Sequence, residues 1–150
     1  MLKKKKTKAQ LKKEFEEANT LLKLTVLALL DYDEVAKTPG YEIDMSTWYD
    51  ARGDVCEVCF AGCVIANRSY AKAIGEDSIF PDDFDDDIAV KFHALNRIRE
   101  GDIEGAYLRL HPEGPLLEIA DFKVYPHCLD PKQWRKDMGE LVKHLRKLKI

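Results

Sequence analysis

The chain has 150 residues, of which 45% are hydrophobic and 34% are charged, and its formal net charge is −3. This length suffices for one well-buried core but is too short for two ordinary domains, and the composition excludes a disordered chain. There is no run of about 18 apolar residues, so we expect no membrane-spanning helix and no membrane partner. Three of the four cysteines are clustered, which is untypical of a secreted disulfide framework and favours reduced thiols in a cytoplasm.

Charge is unevenly distributed along the chain. Residues 1–13 contain seven lysines and no acidic residue, whereas residues 76–87 contain seven acidic residues and no basic one. We assign residues 1–7 to a basic N-terminal tail and residues 8–150 to a single helical domain. Blocks of like charge contact partners of opposite sign, although most of them are solvated faces and chain ends.

The first predicted helix starts at Thr7, where Thr7 and Gln10 have the spacing of a capping box. Apolar residues recur every three or four positions from Leu11 to Leu29, which predicts one helix whose second half is buried nearly all round. Residues 31–47 are predicted to be a connector, and Trp48 is predicted to anchor the core.

A second helix is predicted from Asp54, its N-cap, to Ile74. Gly62 within it would let another helix approach closely. Spacings of three and four residues place its three cysteines on one face of this helix. These are Cys56, Cys59 and Cys63.

The remaining elements are also helical. A helix is predicted from about Asp82 to Arg99, and a short one capped by Asp102 follows. The last helix opens with Asp130 as N-cap and Pro131 as its first residue. Its predicted core face consists of Trp134, Met138, Leu141, Val142, Leu145 and Leu148. The predicted fold class is mainly α, as a single compact domain of five or six helices. A minor β-hairpin or extended arm is predicted at Leu116–Tyr125.

Four donors would be available for a zinc site. Zinc takes four thiolate or imidazole ligands in a tetrahedron, and Cys56, Cys59, His127 and Cys128 supply that number. Structural Cys-x-x-Cys pairs usually sit on a tight turn, whereas this pair is predicted to lie in a helix. We therefore prefer a core role for these cysteines as small apolar residues, and we expect no metal and no cofactor.

The thiols also suggest redox chemistry. In the first turn of the predicted helix, unpaired N–H groups would lower the pKa of Cys56, and Cys59 would lie one turn later as the resolving thiol. However, apart from Arg52, no basic residue next to Cys56 in the sequence would activate it. This remains an alternative, and we expect the protein not to be an enzyme.

The candidate partner-binding face is acidic, and it consists of Asp82, Asp83, Asp85 and Asp86. It lacks the glycine and final glutamate of a calcium loop. One interpretation is an ordinary helix N-terminus, and the other is a surface that mimics a phosphate backbone for a basic partner. Neither basic end of the chain has interleaved aromatic residues, so nucleic-acid binding is not expected.

The segment around the cysteines resembles a set of small bacteriophage and bacterial proteins of unassigned function. The shared motifs are Asp-Met-x-x-Trp, at Asp44–Trp48, and Cys-x-x-Cys-x-Ala-Gly, at Cys56–Gly62. The resemblance covers roughly residues 41–66. It implies a viral or mobile-element origin, and small proteins of that origin often bind a host protein or sequester a signalling molecule.

We therefore predict a non-enzymatic phage-type binding or inhibitor protein. It would act on a host macromolecule, with a host protein as partner, in the host cytoplasm and through the acidic face. One alternative is a sponge for a small nucleotide-like signal at a homo-oligomer interface, with Arg97, Arg99 and Arg109 as phosphate ligands. The other is a zinc- or thiol-dependent protein that uses Cys56 and Cys59.

Overall fold

The computed structural model describes residues 6–44, 48–51, 55–68, 70, 84–99, 102–112 and 131–148. These residues form one mainly α domain with a small sheet, which confirms the predicted fold class. The helices are α1 (Lys8–Glu17), α2 (Leu21–Ala36), α3 (Phe60–Asn67), α4 (Asp86–Arg99), α5 (Ile103–Leu110) and α6 (Pro131–Leu148). The strands are β1 (Tyr41–Ile43), β2 (Tyr49–Asp50) and β3 (Cys56–Val58). The predicted arm at Leu116–Tyr125 lies outside the described residues.

The first predicted helix is in fact two helices. α1 begins as predicted, because the Thr7 hydroxyl accepts a hydrogen bond from the Gln10 amide (3.1 Å) and the Gln10 side chain accepts one from the Thr7 amide (2.8 Å). The chain leaves the helix at Ala18 and re-enters it after Thr20, whose hydroxyl accepts from the amide of Lys23 (3.2 Å). The apolar rhythm continues across this break, so periodicity alone does not reveal it.

The predicted connector begins too early. Helix α2 continues to Ala36, and Asp31, Tyr32 and Val35 within its last turns are buried. The prediction that this helix is buried nearly all round is also wrong, because Leu30 is 58% exposed. A buried partner for Asp31, described below, explains why an acidic stretch is helical and packed here.

The cysteine segment is a strand followed by a helix. Strand β3 is the central strand of the sheet and pairs parallel with β1 and antiparallel with β2. Cys59 is the N-cap of α3, and that helix ends at Asn67 rather than Ile74. The prediction of one cysteine helix is therefore wrong at Cys56 and Cys59, and the predicted cap Asp54 lies outside the described residues. Backbone pairing of Cys56 with Tyr41, which is 15 positions earlier in the chain, is what places Cys56 in a strand.

The last three helices start at or near their predicted positions. Helix α4 begins at Asp86, because the two residues before it, Phe84 and Asp85, are not helical. The predicted start at Asp82 lies outside the described residues. The Asp102 carboxylate caps α5 by accepting from the Gly105 amide (2.8 Å). Helix α6 is described from Pro131, the predicted first helical residue, whereas its predicted N-cap Asp130 lies outside the described residues. Its predicted core face is confirmed at five positions by the burial of Trp134, Met138, Leu141, Val142 and Leu145, while the side chain of Leu148 lies outside the described part of the structure.

Helix α2 lies at the centre of the domain, where it packs against α3, α4, α5, α6 and β1. Phe15 from α1 stacks on Phe92 from α4, with ring centroids 5.4 Å apart. Lys91 donates from Nζ to the carbonyl oxygens of Phe15 (3.1 Å) and Glu16, which places a cation at the negative end of α1. Burial lowers the pKa of Lys91. Across the described ranges, no helix is both long and apolar enough to cross a bilayer.

Candidate functional site

The three clustered thiols lie in different surroundings. Cys59 and Cys63 are buried and Cys56 is half-buried. The Cys59 Sγ donates a weak hydrogen bond to the Trp48 carbonyl (3.8 Å). Burial raises the pKa of all three thiols above their ordinary values. The premise of the redox hypothesis, a lowered pKa at Cys56, is therefore wrong, because that thiol is on a strand and not in the first turn of a helix.

Only two of the four predicted zinc donors lie among the described residues. Cys56 lies on β3 and Cys59 caps α3, while His127 and Cys128 lie outside the described residues. In the part of the chain that the structure describes, no group of three or more histidine, cysteine or carboxylate side chains could hold a metal ion. A raised pKa also disfavours the thiolate form that a metal requires.

Two of the three arginines predicted to bind phosphate make local contacts. Arg97 forms an ion pair with Asp102 (3.8 Å). Arg99 donates from Nε and Nη2 to Asn96 Oδ1, at 2.9 Å and 2.7 Å. Arg109 is exposed on α5. The cavities described below are lined by other residues.

The described part of the predicted acidic face is at the start of α4. Asp85 and Asp86 are exposed there, whereas Asp82 and Asp83 lie outside the described residues. The Asp85 carbonyl accepts from the amides of Ile88 (3.0 Å) and Ala89 (2.8 Å), so Asp85 precedes the first helical turn. Exposed carboxylates at this position stabilise the positive end of the helix.

Sequence reasoning missed a concave apolar surface along α2. A cavity of ≈ 690 Å³ lies where α1, α2 and the end of α6 meet, and Leu22, Val26 and Leu27 form part of its wall. A cavity of ≈ 230 Å³ between α2 and α6 is lined by Val26 and Leu30. Val26 and Arg146 line both cavities, which are therefore neighbours. We call this combined surface the α2 groove and define its floor by Leu22, Val26, Leu27 and Leu30.

Three floor residues form a row. Leu22, Val26 and Leu30 are spaced four residues apart, so they follow one another along the same side of α2. Leu30 is the most exposed large apolar side chain among those the structure describes. The sequence contains a signal for this surface, since α2 has more apolar residues than its packing faces can bury.

The rim of the α2 groove is predominantly basic. Arg135 donates to both carboxylate oxygens of Asp33, at 2.8 Å and 2.9 Å. Lys23 and Arg146 form no ion pair with any described residue. The side chains that line the two cavities include five cations and two carboxylates: Lys13, Lys23, Arg135, Lys143 and Arg146, with Glu14 and Glu17.

A third cavity, of ≈ 580 Å³, has a charged floor. Arg68, only 1% exposed, donates to Asp31 from Nε (2.7 Å) and Nη2 (3.2 Å), and Asn67 donates to the same carboxylate (2.7 Å). Arg68 Nη1 also donates to Glu14 (3.2 Å) and to the Leu11 carbonyl. Burial raises the pKa of Asp31, although the hydrogen bonds from Arg68 and Asn67 oppose that rise. The hydrogen-bonding groups of this floor pair with one another, and their bonds connect α1, α2 and the end of α3.

Comparison with known proteins found no matching family model, no matching curated protein and no matching solved structure. Function is therefore inferred from the surfaces of this chain. Of the surfaces described above, the α2 groove combines concavity, an exposed leucine beside partly buried apolar side chains, and two cations that form no ion pair with a described residue.

Proposed function

We propose that this chain is a non-enzymatic phage-type binding protein that acts on a host protein and docks it in the α2 groove. The observation that carries the proposal is the row of Leu22, Val26 and Leu30 beside two cavities, in which Leu22 and Val26 are partly buried and Leu30 is exposed. A single exposed leucine is ordinary on a protein surface, but a row of apolar residues in a concavity is typical of a site that receives a helix. The phage and host assignments derive from the resemblance at Asp44–Gly62.

The size of the groove suits a reversible complex. Complete burial of a leucine or valine side chain contributes about 1.5–3 kcal/mol, and the half-exposed members of this row would contribute correspondingly less. Association costs at least about 4 kcal/mol in lost rigid-body freedom, so three such contacts leave little surplus. Contacts with the charged rim are therefore needed for specific binding.

The alternatives have weaker support. The three thiols have a raised pKa and are protonated at neutral pH, which makes them poor nucleophiles and poor metal ligands. Arg97 and Arg99 already contact Asp102 and Asn96. A nucleotide sponge would have to break these contacts to bind phosphate.

The acidic face remains a second candidate docking surface on the same protein. Asp85 and Asp86 are exposed at the start of α4, where a basic partner would reach them. The experiment below separates this surface from the α2 groove.

The test is capture of partners from a bacterial lysate on the immobilised protein. Leu30→Gln places a polar group in the groove without a helix breaker, and Leu108→Gln is its matched control, because Leu108 is a 37% exposed leucine on α5. We expect Leu30→Gln to lose the captured protein and Leu108→Gln to retain it. Loss only in the double variant Asp85→Asn/Asp86→Asn would move the docking surface to α4. Retention in every variant would contradict the proposal.

A further inference from the structure

We propose that the segment received by the α2 groove is an acidic amphipathic helix of the partner. Its apolar side would face Leu22, Val26 and Leu30, and its Asp or Glu side chains would face Lys23 and Arg146. This inference rests on the proposed function, since it names the chemistry of the partner at that same surface.

The dimensions of the row support a helical occupant. Leu22 and Leu30 are eight positions apart on one helix, which corresponds to about 12 Å along its axis. Two to three turns of a partner helix cover that length, with apolar residues at intervals of three and four. The groove therefore needs only a short helical segment.

The charges around the row favour an acidic segment. Lys23 belongs to α2 and Arg146 to α6, both line the ≈ 690 Å³ cavity, and both are exposed. Neither has a carboxylate partner among the described side chains, whereas Arg135 and Lys143 pair with Asp33 and Glu140. Two cations from two helices beside an apolar row are complementary to carboxylates that flank an apolar stripe.

Single-stranded nucleic acid fits this surface less well, and a second copy of this chain is an occupant that the test must separate from a partner helix. The floor consists of aliphatic side chains, whereas single-stranded nucleic acid is bound by stacking on aromatic rings. A second copy of this chain would offer residues 76–87, with their seven acidic side chains, to the same cations. Both occupants are outcomes of the test below.

The test uses three synthetic helical peptides with leucine at the same positions and with flanks of glutamate, glutamine or lysine. Binding is measured by fluorescence anisotropy at low salt and at about 0.5 M salt, where the Debye length falls to a few ångströms. We expect the glutamate peptide to bind at least about tenfold more tightly than the lysine peptide, and we expect salt to reduce that ratio.

Charge reversal makes the test decisive. In Lys23→Glu/Arg146→Glu, the lysine peptide should become the tighter ligand. The control Arg109→Glu/Lys136→Glu makes the same change in net charge at exposed positions that line neither cavity, and it should keep the original order. Equal binding of all three peptides, or an unchanged order in Lys23→Glu/Arg146→Glu, would overturn the inference.

The remaining outcomes separate this inference from the proposed function. If no peptide binds but Leu30→Gln still loses its lysate partner, protein binding stands and the acidic helix is wrong. If Leu30→Gln changes neither the capture of a lysate protein nor the binding of the peptides, both the proposed function and the acidic helix are wrong. A dimer in light scattering that Lys23→Glu/Arg146→Glu dissociates would identify a second copy as the occupant. Tighter binding of an oligonucleotide than of the glutamate peptide would identify nucleic acid.

Discussion

Arg68, the residue that follows α3, donates two hydrogen bonds to Asp31 in α2, with Nε 2.7 Å from Oδ2 and Nη2 3.2 Å from Oδ1. Both side chains are 2% exposed, so this is an ion pair in the interior. Arg68 also reaches Glu14 on α1, and the pair therefore connects the first three helices. An acidic residue that looks like part of a polar connector is in fact one half of a buried contact.

Loss of the Arg68 charge should strongly destabilise the protein. Arg68→Met leaves the Asp31 carboxylate buried without its cation, and we expect a loss of about 3–5 kcal/mol in the free energy of unfolding in urea at pH 7. The matched control is Arg135→Met, because Arg135 makes a similar two-point contact with Asp33 but at the surface. That control should cost at most about 1 kcal/mol. Equal costs for the two variants would contradict the interior role of the Arg68–Asp31 pair.

Gly62 should not tolerate a side chain. A Cβ at position 62 would lie 1.8 Å from the Trp48 carbonyl oxygen, a distance that forces the backbone of one segment to move. We expect Gly62→Ala to cost at least about 1–3 kcal/mol by thermal unfolding. Gly139→Ala is the control in α6, where the nearest atom to a new Cβ is Arg135 Nη1 at 3.8 Å. It should stabilise the protein by about 0.4–1 kcal/mol, so a Gly62→Ala variant that is equally stabilised would refute the clash.

Trp134 should tolerate phenylalanine better than its burial suggests. Its indole Nε1 is buried and has no hydrogen-bond acceptor among the described residues, although the ring packs 5.0 Å from Phe60 and 5.1 Å from Tyr32. Trp134→Phe removes this unpaired donor, whose burial costs about 1–3 kcal/mol, and this offsets part of the lost ring volume. We expect Trp134→Phe to cost less than about 1.5 kcal/mol and Trp134→Ala to cost about 3–5 kcal/mol in chemical denaturation. Similar costs would show that the indole N–H is satisfied in solution.

Glu14 should make stability depend on acid pH. Partial burial raises the pKa of its carboxyl, but hydrogen bonds and charge from Lys6 and Arg68 lower it more, so the folded pKa lies below the ordinary value. A carboxyl with a lowered folded pKa contributes stability above its unfolded pKa of about 4.3 and loses it as pH falls through the folded pKa.

The wild type should therefore be more stable than Glu14→Gln at pH 7, and the difference should shrink as the pH falls below about 4. Urea unfolding at a series of pH values measures this difference. Glu17→Gln is the control, because Glu17 is exposed and its ion pair with Lys13 spans 3.8 Å. A difference between wild type and Glu14→Gln that stays constant with pH would contradict the predicted role of Lys6 and Arg68.

The sequence predicted those features that depend on a few neighbouring residues. The capping box at Thr7, the cap at Asp102 and the start of α6 at Pro131 are all correct, because each depends on bonds or steric limits within four residues. The core face of α6 is also correct, since one strongly amphipathic helix has one face that must be buried. The class of the fold follows from these elements.

The tertiary structure decided the features that depend on distant residues. Cys56 belongs to a strand because β3 pairs with Tyr41–Ile43 on one side and Tyr49–Asp50 on the other. The spacing of residues around Cys56 does not predict this strand pairing. Gly62 faces the Trp48 backbone instead of the second helix that the sequence suggested.

The position of the candidate site on α2 could not be predicted from the sequence, for a related reason. Periodicity identifies which residues of α2 are apolar, but only the positions of α1 and α6 determine which of them are covered. Leu30 remains exposed and Leu29 is buried, although they are adjacent in the chain. Local composition therefore determined the helices of this protein, and the packing of helices against one another decided where its groove lies, because burial is set by contacts between segments that are far apart in the sequence.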